Sequence, residues 1–264
     1  MLTRLPKIAL WLSLALVLWF AVAVFGPKIG LIDWRLGLGT MVMGLGVPLT
    51  GLAALVALVA LIAALWKGPR GQWWKAALAL AIPLAIFAGL LSVRAQGESV
   101  PPIHDVATDT SDPPAFSQRV IDLRTQMEAN PLNDYATPLG QLEPWSARMA
   151  DAPEGAKSHA DLIAENYGDL QAVSYDGTQV EAAMAVKRAM DGMGFADVVV
   201  ASDATRVEGV AETLAFGFKD DVVARVRDGR IDLRSASRVG LSDLGYNAAR
   251  IRELSAAIKT QLDE

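Results

Sequence analysis

Three continuous apolar runs open the chain, and two other patterns follow them. Residues 8–26 carry no charge and are rich in Leu, Ala, Val and Trp, residues 36–66 are again uncharged, and residues 76–93 run apolar between Lys75 and Arg94. A bilayer-crossing helix takes about 20 such residues, so spans are expected at about 8–26, 43–66 and 76–93. Pro48 and Pro83 are tolerable there, because neighbouring helices satisfy the backbone groups that a proline frees in lipid. Between residues 95 and 157 the apolar runs give way to Pro101-Pro102, Pro113-Pro114, Asn130-Pro131, Pro138, Pro144 and Pro153. That spacing predicts an extended, turn-rich segment wrapping the surface of a following domain, with one short helix over 117–128.

From about residue 169 the periodicity becomes regular. Residues 170–175 read as a short strand. Asp176 is placed to cap a helix over 178–191, with Val180, Ala183, Met184 and Met190 on one face and Gly192 and Gly194 ending it. Four alternating runs follow at 196–202, 205–216, 220–228 and 230–239, and Asp228-Gly229 signals a hairpin between the last two. A final helix over 243–262 starts at Ser242, carries Asp243 in its first turn, and has a seam of Leu244, Ala248, Ile251, Ile258 and Leu262. Residues 158–167 add a short helix. Consecutive strands predict an antiparallel sheet with helices packed on one face, an α+β domain behind three transmembrane helices. The division is 1–94 for the membrane anchor, 95–157 for the Pro-rich segment and 158–264 for the α+β core.

Charge sharpens this picture. Of the chain's 24 basic and 29 acidic residues, eight Lys or Arg and one Asp fall in residues 1–94, so the anchor is basic and the remainder strongly acidic. A wholly soluble enzyme and a disordered chain are excluded, and nucleic acid is not an expected partner of an acidic domain. Arg4 and Lys7 precede the first run and Lys67, Arg70 and Lys75 crowd the second loop, whereas Lys28 and Arg35 of the first loop are partly offset by Asp33. The positive-inside rule then places the N-terminus in the cytoplasm and the C-terminal domain in the periplasm of a bacterial inner membrane. Ala21-Val22-Ala23 resembles a signal-peptidase site, but the long apolar run favours an uncleaved anchor. Glycines 37, 44 and 51, and 39 and 46, recur at seven residues and predict close helix packing.

The chain has no Cys and two His, which removes thiolate chemistry and most His-based sites; no cofactor is expected. Alternation gathers Arg225, Arg227, Arg234 and Arg238 on the polar face of the sheet, where Arg206, Glu208 and Glu212 could pair with them. That face is either a solvated ion-pair surface or an anion pocket. Asp243, Asn247 and Arg250 fall on one stripe of the last helix, just after Arg234-Ser235-Ala236-Ser237-Arg238-Val239-Gly240. Arg234, Arg238, Asn247 and Arg250, with Asp243 orienting them, are therefore the candidate ligand-binding residues, since a helix start beside two Arg favours an anion. The bland alternative is that Asn247 and Arg250 tie the strand-to-helix corner together. His104, Asp105, Asp109 and Asp112 suggest a metal site only weakly, because turn-forming Asp explains the string, and no metal is expected.

Phe218-Lys-Asp-Asp-Val-Val-Ala-Arg-Val-Arg, the run from Ile231-Asp-Leu-Arg-Ser-Ala-Ser-Arg to Asn247-Ala-Ala-Arg-Ile-Arg, Pro101-Pro-Ile-His-Asp-Val-Ala-Thr-Asp and Pro113-Pro-Ala-Phe together resemble the domain of unknown function 1499 family. The resemblance covers about residues 100–262 and implies a membrane-associated envelope or organelle domain, with no established activity to carry over. The expectation is a membrane protein whose domain binds an anionic ligand or an envelope protein without catalysis. Two alternatives stand beside it: a hydrolase or transferase using Asp232 or Asp243 with Arg, and a scaffold or assembly factor of a membrane complex.

Overall fold

Each apolar run becomes a helix because an uncharged stretch rich in Leu and Ala has strong helical propensity and no competing polar side chains. In the computed structural model, which describes residues 4–66, 70–132, 134–227 and 229–263, these are α1 (Leu5–Phe25), α2 (Val47–Trp66) and α3 (Trp73–Glu98). Among the described residues, three helical stretches are long and apolar enough to cross a membrane: Leu5–Phe25, Arg35–Trp66 and Arg70–Glu98. The second starts earlier than predicted, because Arg35–Gly46 is wound as a π-helix that runs into α2. Its i→i+5 pairing breaks the seven-residue stripe expected of an α-helix. Gly37 packs under the Ala23 carbonyl and Gly46 under the Phe20 ring, while Gly39 and Gly51 face open space. The close-packed seam of α2 is instead Thr50, Ala53, Ala57, Ala60 and Ala64, small residues that let backbones approach. Ser13 of α1 donates to the Ala79 carbonyl of α3 at 2.7 Å. Lys67, one of the basic flank residues, lies outside the described residues.

The chain forms two compact units, Met1–Gln96 with Thr213–Gly217, and Gly97–Glu212 with Phe218–Glu264. The second unit holds β1 (Asp105–Ala107), α4 (Gln118–Gln126), α5 (Ser146–Met149), α6 (His159–Asn166), β2 (Val173–Ser174), α7 (Gln179–Gly192), β3 (Ala196–Val200), β4 (Arg206–Glu212), β5 (Lys219–Arg227), β6 (Arg230–Ser237) and α8 (Tyr246–Leu262). All strand pairs are antiparallel, in the order β1-β6-β5-β4-β3, with β2 also pairing β6. This is the predicted α+β architecture. Asp228 of the predicted hairpin lies outside the described residues; Gly229 beside it takes the left-handed φ of +70° that such a turn requires.

Local details differ from the sequence reading for identifiable reasons. Thr178, not Asp176, caps α7, because Thr178 and Glu181 complete a reciprocal capping box. Val180 and Met184, expected on the buried face, point outward, and Ala182, Ala183, Val186, Ala189 and Met190 are buried. Helix α8 begins three residues later than predicted, behind Gly245 at φ +83° rather than at Ser242, and Leu254 takes the place of Leu244 in its fully buried seam. The Pro-rich segment does more than wrap. It adds an edge strand, β1, within the stretch expected to be extended and turn-rich, and it buries Ile103, Tyr135, Leu139 and Trp145 in the main core. Helices α7 and α8 cover one face of the sheet, over Val222, Ala224, Val226, Ile231 and Leu233. On the other face Phe116 and Val120 pack on Val223 and Ala236, which brings α4 there.

Candidate functional site

The polar residues of β6 divide by the period of the strand. Arg234, Ala236 and Arg238 face α4, whereas Ser235 and Ser237 face α8. The five candidate residues therefore fall into two clusters on opposite sides of β6, Arg234 and Arg238 towards α4 and Asp243, Asn247 and Arg250 at the start of α8.

On the α4 side the arginines meet carboxylates of the same chain. Arg234 makes a two-pronged bond to Asp105, Nε to Oδ1 at 3.0 Å and Nη2 to Oδ2 at 2.6 Å. Its guanidinium also lies 5.2 Å from the Tyr135 ring centroid and 5.6 Å from that of Phe116. Arg238 grips Asp221, with Nη2 to Oδ1 at 2.6 Å, and Arg124 reaches the other oxygen at 2.6 Å. Arg225 contacts Asp109, Asp112 and Asp232, and Arg227 and Arg230 join the same carboxylates. Glu208 takes Arg206, Arg119 and the Ser117 hydroxyl instead of the central arginines. The predicted polar face is thus internally neutralised, buried around Arg234 and Arg238 and open to solvent around Arg227 and Asp112; Asp105, Asp109 and Asp112, weak metal candidates by sequence, supply anions together with Asp221 and Asp232. Among the described residues no group of three metal-ligating side chains stands together.

On the α8 side, Asn247 is the hub. Its Oδ1 accepts from Ser235 Oγ at 2.6 Å and from Arg250 Nη1 at 2.7 Å, and its Nδ2 donates to the His104 carbonyl and Ser237 Oγ, both at 2.9 Å. Arg250 also holds Asp220 at 2.6 Å. The helix start expected to attract an anion holds the Asp243 carboxylate, which accepts from the amides of Gly245 at 2.8 Å and Asn247 at 2.6 Å. Burial pushes the Asp243 carboxyl up to about 6, against these two amides and Arg250, which favour its charge, while Asp220 adds to the rise.

Between the two clusters stands a group that sequence reasoning missed. The chain's two histidines, far apart in sequence, sit on either side of Trp145. His104 stacks on the indole at 4.8 Å, His159 meets its edge at 5.2 Å, and Tyr135 stacks on His159 at 5.4 Å. The Tyr135 hydroxyl donates to Asp105 at 2.7 Å. Burial opposes the Asp105 charge, yet Arg234 and Tyr135 hold its pKa below the usual carboxylate value. Burial and the neighbouring anion raise Tyr135 well above an ordinary phenol. Both ring nitrogens of His104 and Nδ1 of His159 are buried without a hydrogen-bond partner. Burial lowers His104 to about 4; Asp105 and the Pro131 carbonyl pull upward, while His159 and Arg124 push further down. His159 is lowered as well, chiefly by burial. Both rings are accordingly neutral near pH 7. Asp220-Asp221, two acids in succession on a strand, signals the two ion-pair clusters, since it must send one charge to each face; nothing comparable signals the histidine group.

No curated protein and no solved structure matches the chain. A family model described as protein of unknown function (DUF1499) matches residues 105–258, which hold Asp105, the histidine pair's Trp145 and His159, and both arginine clusters. With more than half of its length matched, the chain belongs to that family.

Proposed function

We propose that this protein is a membrane-anchored, non-catalytic interaction module whose α+β domain engages an envelope protein partner from the periplasmic side. The observation that carries the reading is that Arg234, Arg238 and Arg250 each already hold a carboxylate of their own chain. An anionic ligand would first have to displace Asp105 or Asp221, and breaking a buried ion pair costs about 3–5 kcal/mol, a factor of hundreds or more in affinity. Recognition then falls to the outer surface, where Val180, Met184 and Tyr246 are exposed. The side of the membrane follows from the basic flanks Arg4, Lys7, Arg70 and Lys75.

The test is site-specific photocrosslinking in whole cells, with the reactive group at Val180, Met184 or Tyr246, beside native mass spectrometry of the full chain in nanodiscs. A discrete protein adduct from at least one position, with no small molecule retained, is the expected result. A small anionic mass that disappears in Arg234→Ala plus Arg238→Ala, while amide-exchange protection of β5 and β6 is unchanged, would overturn it in favour of ligand binding. A C-terminal alkaline phosphatase fusion should be active; an inactive fusion refutes the orientation.

One observation favours the catalytic alternative. A carboxyl raised to about 6 suits proton transfer near neutral pH, and Asp243 is one. Activity on an envelope substrate that vanishes in Asp243→Asn would establish it.

A further inference from the structure

The turn between β4 and β5 runs Thr213-Leu214-Ala215-Phe216-Gly217-Phe218, without a charge, between Glu212 and Lys219. Hairpin tips are normally polar, so an uncharged apolar tip with an exposed leucine calls for a reason. Leu214 is 76% exposed. Phe216 holds a left-handed φ of +62°, followed by Gly217 at the same angle. A bulky residue in that region carries strain that its surroundings must sustain. What sustains it is in the first unit, to which Thr213–Gly217 belongs. The Phe216 amide donates to the Val24 carbonyl at 2.8 Å, and Lys28 Nζ donates to the Thr213 carbonyl at 3.2 Å. Thr213 Oγ1 closes the tip on the Ala215 carbonyl at 2.6 Å.

Val24 lies in the last turn of α1, whose terminal carbonyls have no partner within the helix. The 21 residues of α1 span about 30 Å at ~1.5 Å per residue, the thickness of the hydrocarbon core. The tip is therefore fastened at the depth where the bilayer ends. Exposed Phe25, Ile29 and Leu31 lie at the same end of α1, so Leu214 continues an apolar rim rather than standing alone.

We infer that Thr213–Gly217 is a lipid-inserting finger, placing Leu214 in the acyl-chain and headgroup boundary of the leaflet where α1 ends. The inference rests on the three helices spanning a bilayer. The chain's lack of cysteine makes the test direct. Single-cysteine variants Leu214→Cys, Ala215→Cys, Leu18→Cys on α1 and Val180→Cys on α7 are labelled with an environment-sensitive fluorophore, in full-length protein in nanodiscs. Lipids carrying a nitroxide near the headgroup or deep in the chain serve as quenchers. The expected result is a blue-shifted label at Leu214 or Ala215, quenched severalfold more by the shallow nitroxide than the label at Val180, with Leu18 quenched by the deep one. Emission and quenching at both tip positions equal to those at Val180 overturn the finger. A tip label shielded from water but not quenched means a protein covers it, which also overturns the finger. An unquenched Leu18 label overturns the membrane reading itself.

Discussion

Replacing His104 by Phe separates the role of its ring as a flat surface from its role as a base. His104 lies fully buried and stacked on Trp145. Burial lowers its pKa from 6.5 to about 4 in the folded state, so as pH falls the unfolded chain binds the proton first. The corresponding stability is fully present above about pH 6.5 and is lost as pH falls towards 4. At ~1.4 kcal/mol per unit, the loss amounts to about 3 kcal/mol across that window. Phe keeps the stacking and cannot take the proton.

Native-state amide exchange of β5 and β6, followed in the full chain in nanodiscs between pH 7 and 4, reads the opening free energy where it matters. Asp243 works in the opposite sense. Its carboxyl is raised to about 6, so the folded state binds that proton first and gains stability as pH falls from about 6 towards 3.8. Both chains carry Asp243 and His159, so the difference between the two pH profiles isolates His104. The wild type should lose about 3 kcal/mol of protection more than the variant over the window. Parallel profiles refute the buried neutral imidazole. A His104→Phe chain much less protected than wild type at pH 7 shows that a polar contact of the ring, such as that with the Pro131 carbonyl, outweighs its stacking on Trp145.

Three further outcomes follow from the packing. Asp105→Ala strands the Arg234 guanidinium in the interior and should cost about 3–5 kcal/mol, whereas Asp105→Leu with Arg234→Met should lie nearer wild type than either single change; additive losses in the exchange experiment would show that the pair is not a unit. Gly245→Ala forces a side chain into φ +83°, with its Cβ 3.3 Å from Val100 Cγ1, and should cost about 1–2 kcal/mol, visible as faster exchange in the first turn of α8. Ala57→Leu adds three carbons to a fully buried position of the α2 seam and should destabilise the helix bundle by about 1–3 kcal/mol, seen as a lower midpoint in thermal unfolding followed by helical circular dichroism.

Alternation alone puts Arg225, Arg227, Arg234 and Arg238 on one face of the sheet, and uninterrupted apolar length alone marks the three helices. Both follow from rules that act over a few residues. What covers that face does not, because Asp105 lies 129 residues from Arg234 and Asp112 lies 113 from Arg225. A Pro-rich segment read as extended has no periodicity to say which side chains point inward, so β1 and the burial of Tyr135 and Trp145 left no trace. The histidine pair escaped for the same reason: its members meet only because α6 and the segment before β1 converge on Trp145. At the last helix the alternative of a corner tied together by Asn247 agrees with its hydrogen bonds to Ser235 and Ser237, while Asp243 lies three residues ahead of the first residue of α8, since Gly245 takes the left-handed position before Tyr246.

The division of the arginines changes what a loss of binding would mean. Arg225, Arg227, Arg230 and Arg234 all take carboxylates from residues 105–112, so the strand face serves as the latch for the Pro-rich segment. Arg124 closes it from the other side, with Nη2 on the Asn130 carbonyl at 2.8 Å and Nη1 on Asp221. Arg124 and Arg238 thus share one buried carboxylate, and main-chain carbonyls at Asn130, Ala236 and Ser237 accept from the Nη1 and Nη2 groups of Arg124, whose Nε is buried without a partner. Removing Arg234 or Arg238 therefore frees a covering segment as well as a charge, and any surface built on that segment moves with it. A partner lost in such a variant counts as evidence for an anion site only if residues 105–132 keep their exchange protection. If protection and partner disappear together, the arginines act by holding the surface in place, which is the role the geometry assigns them.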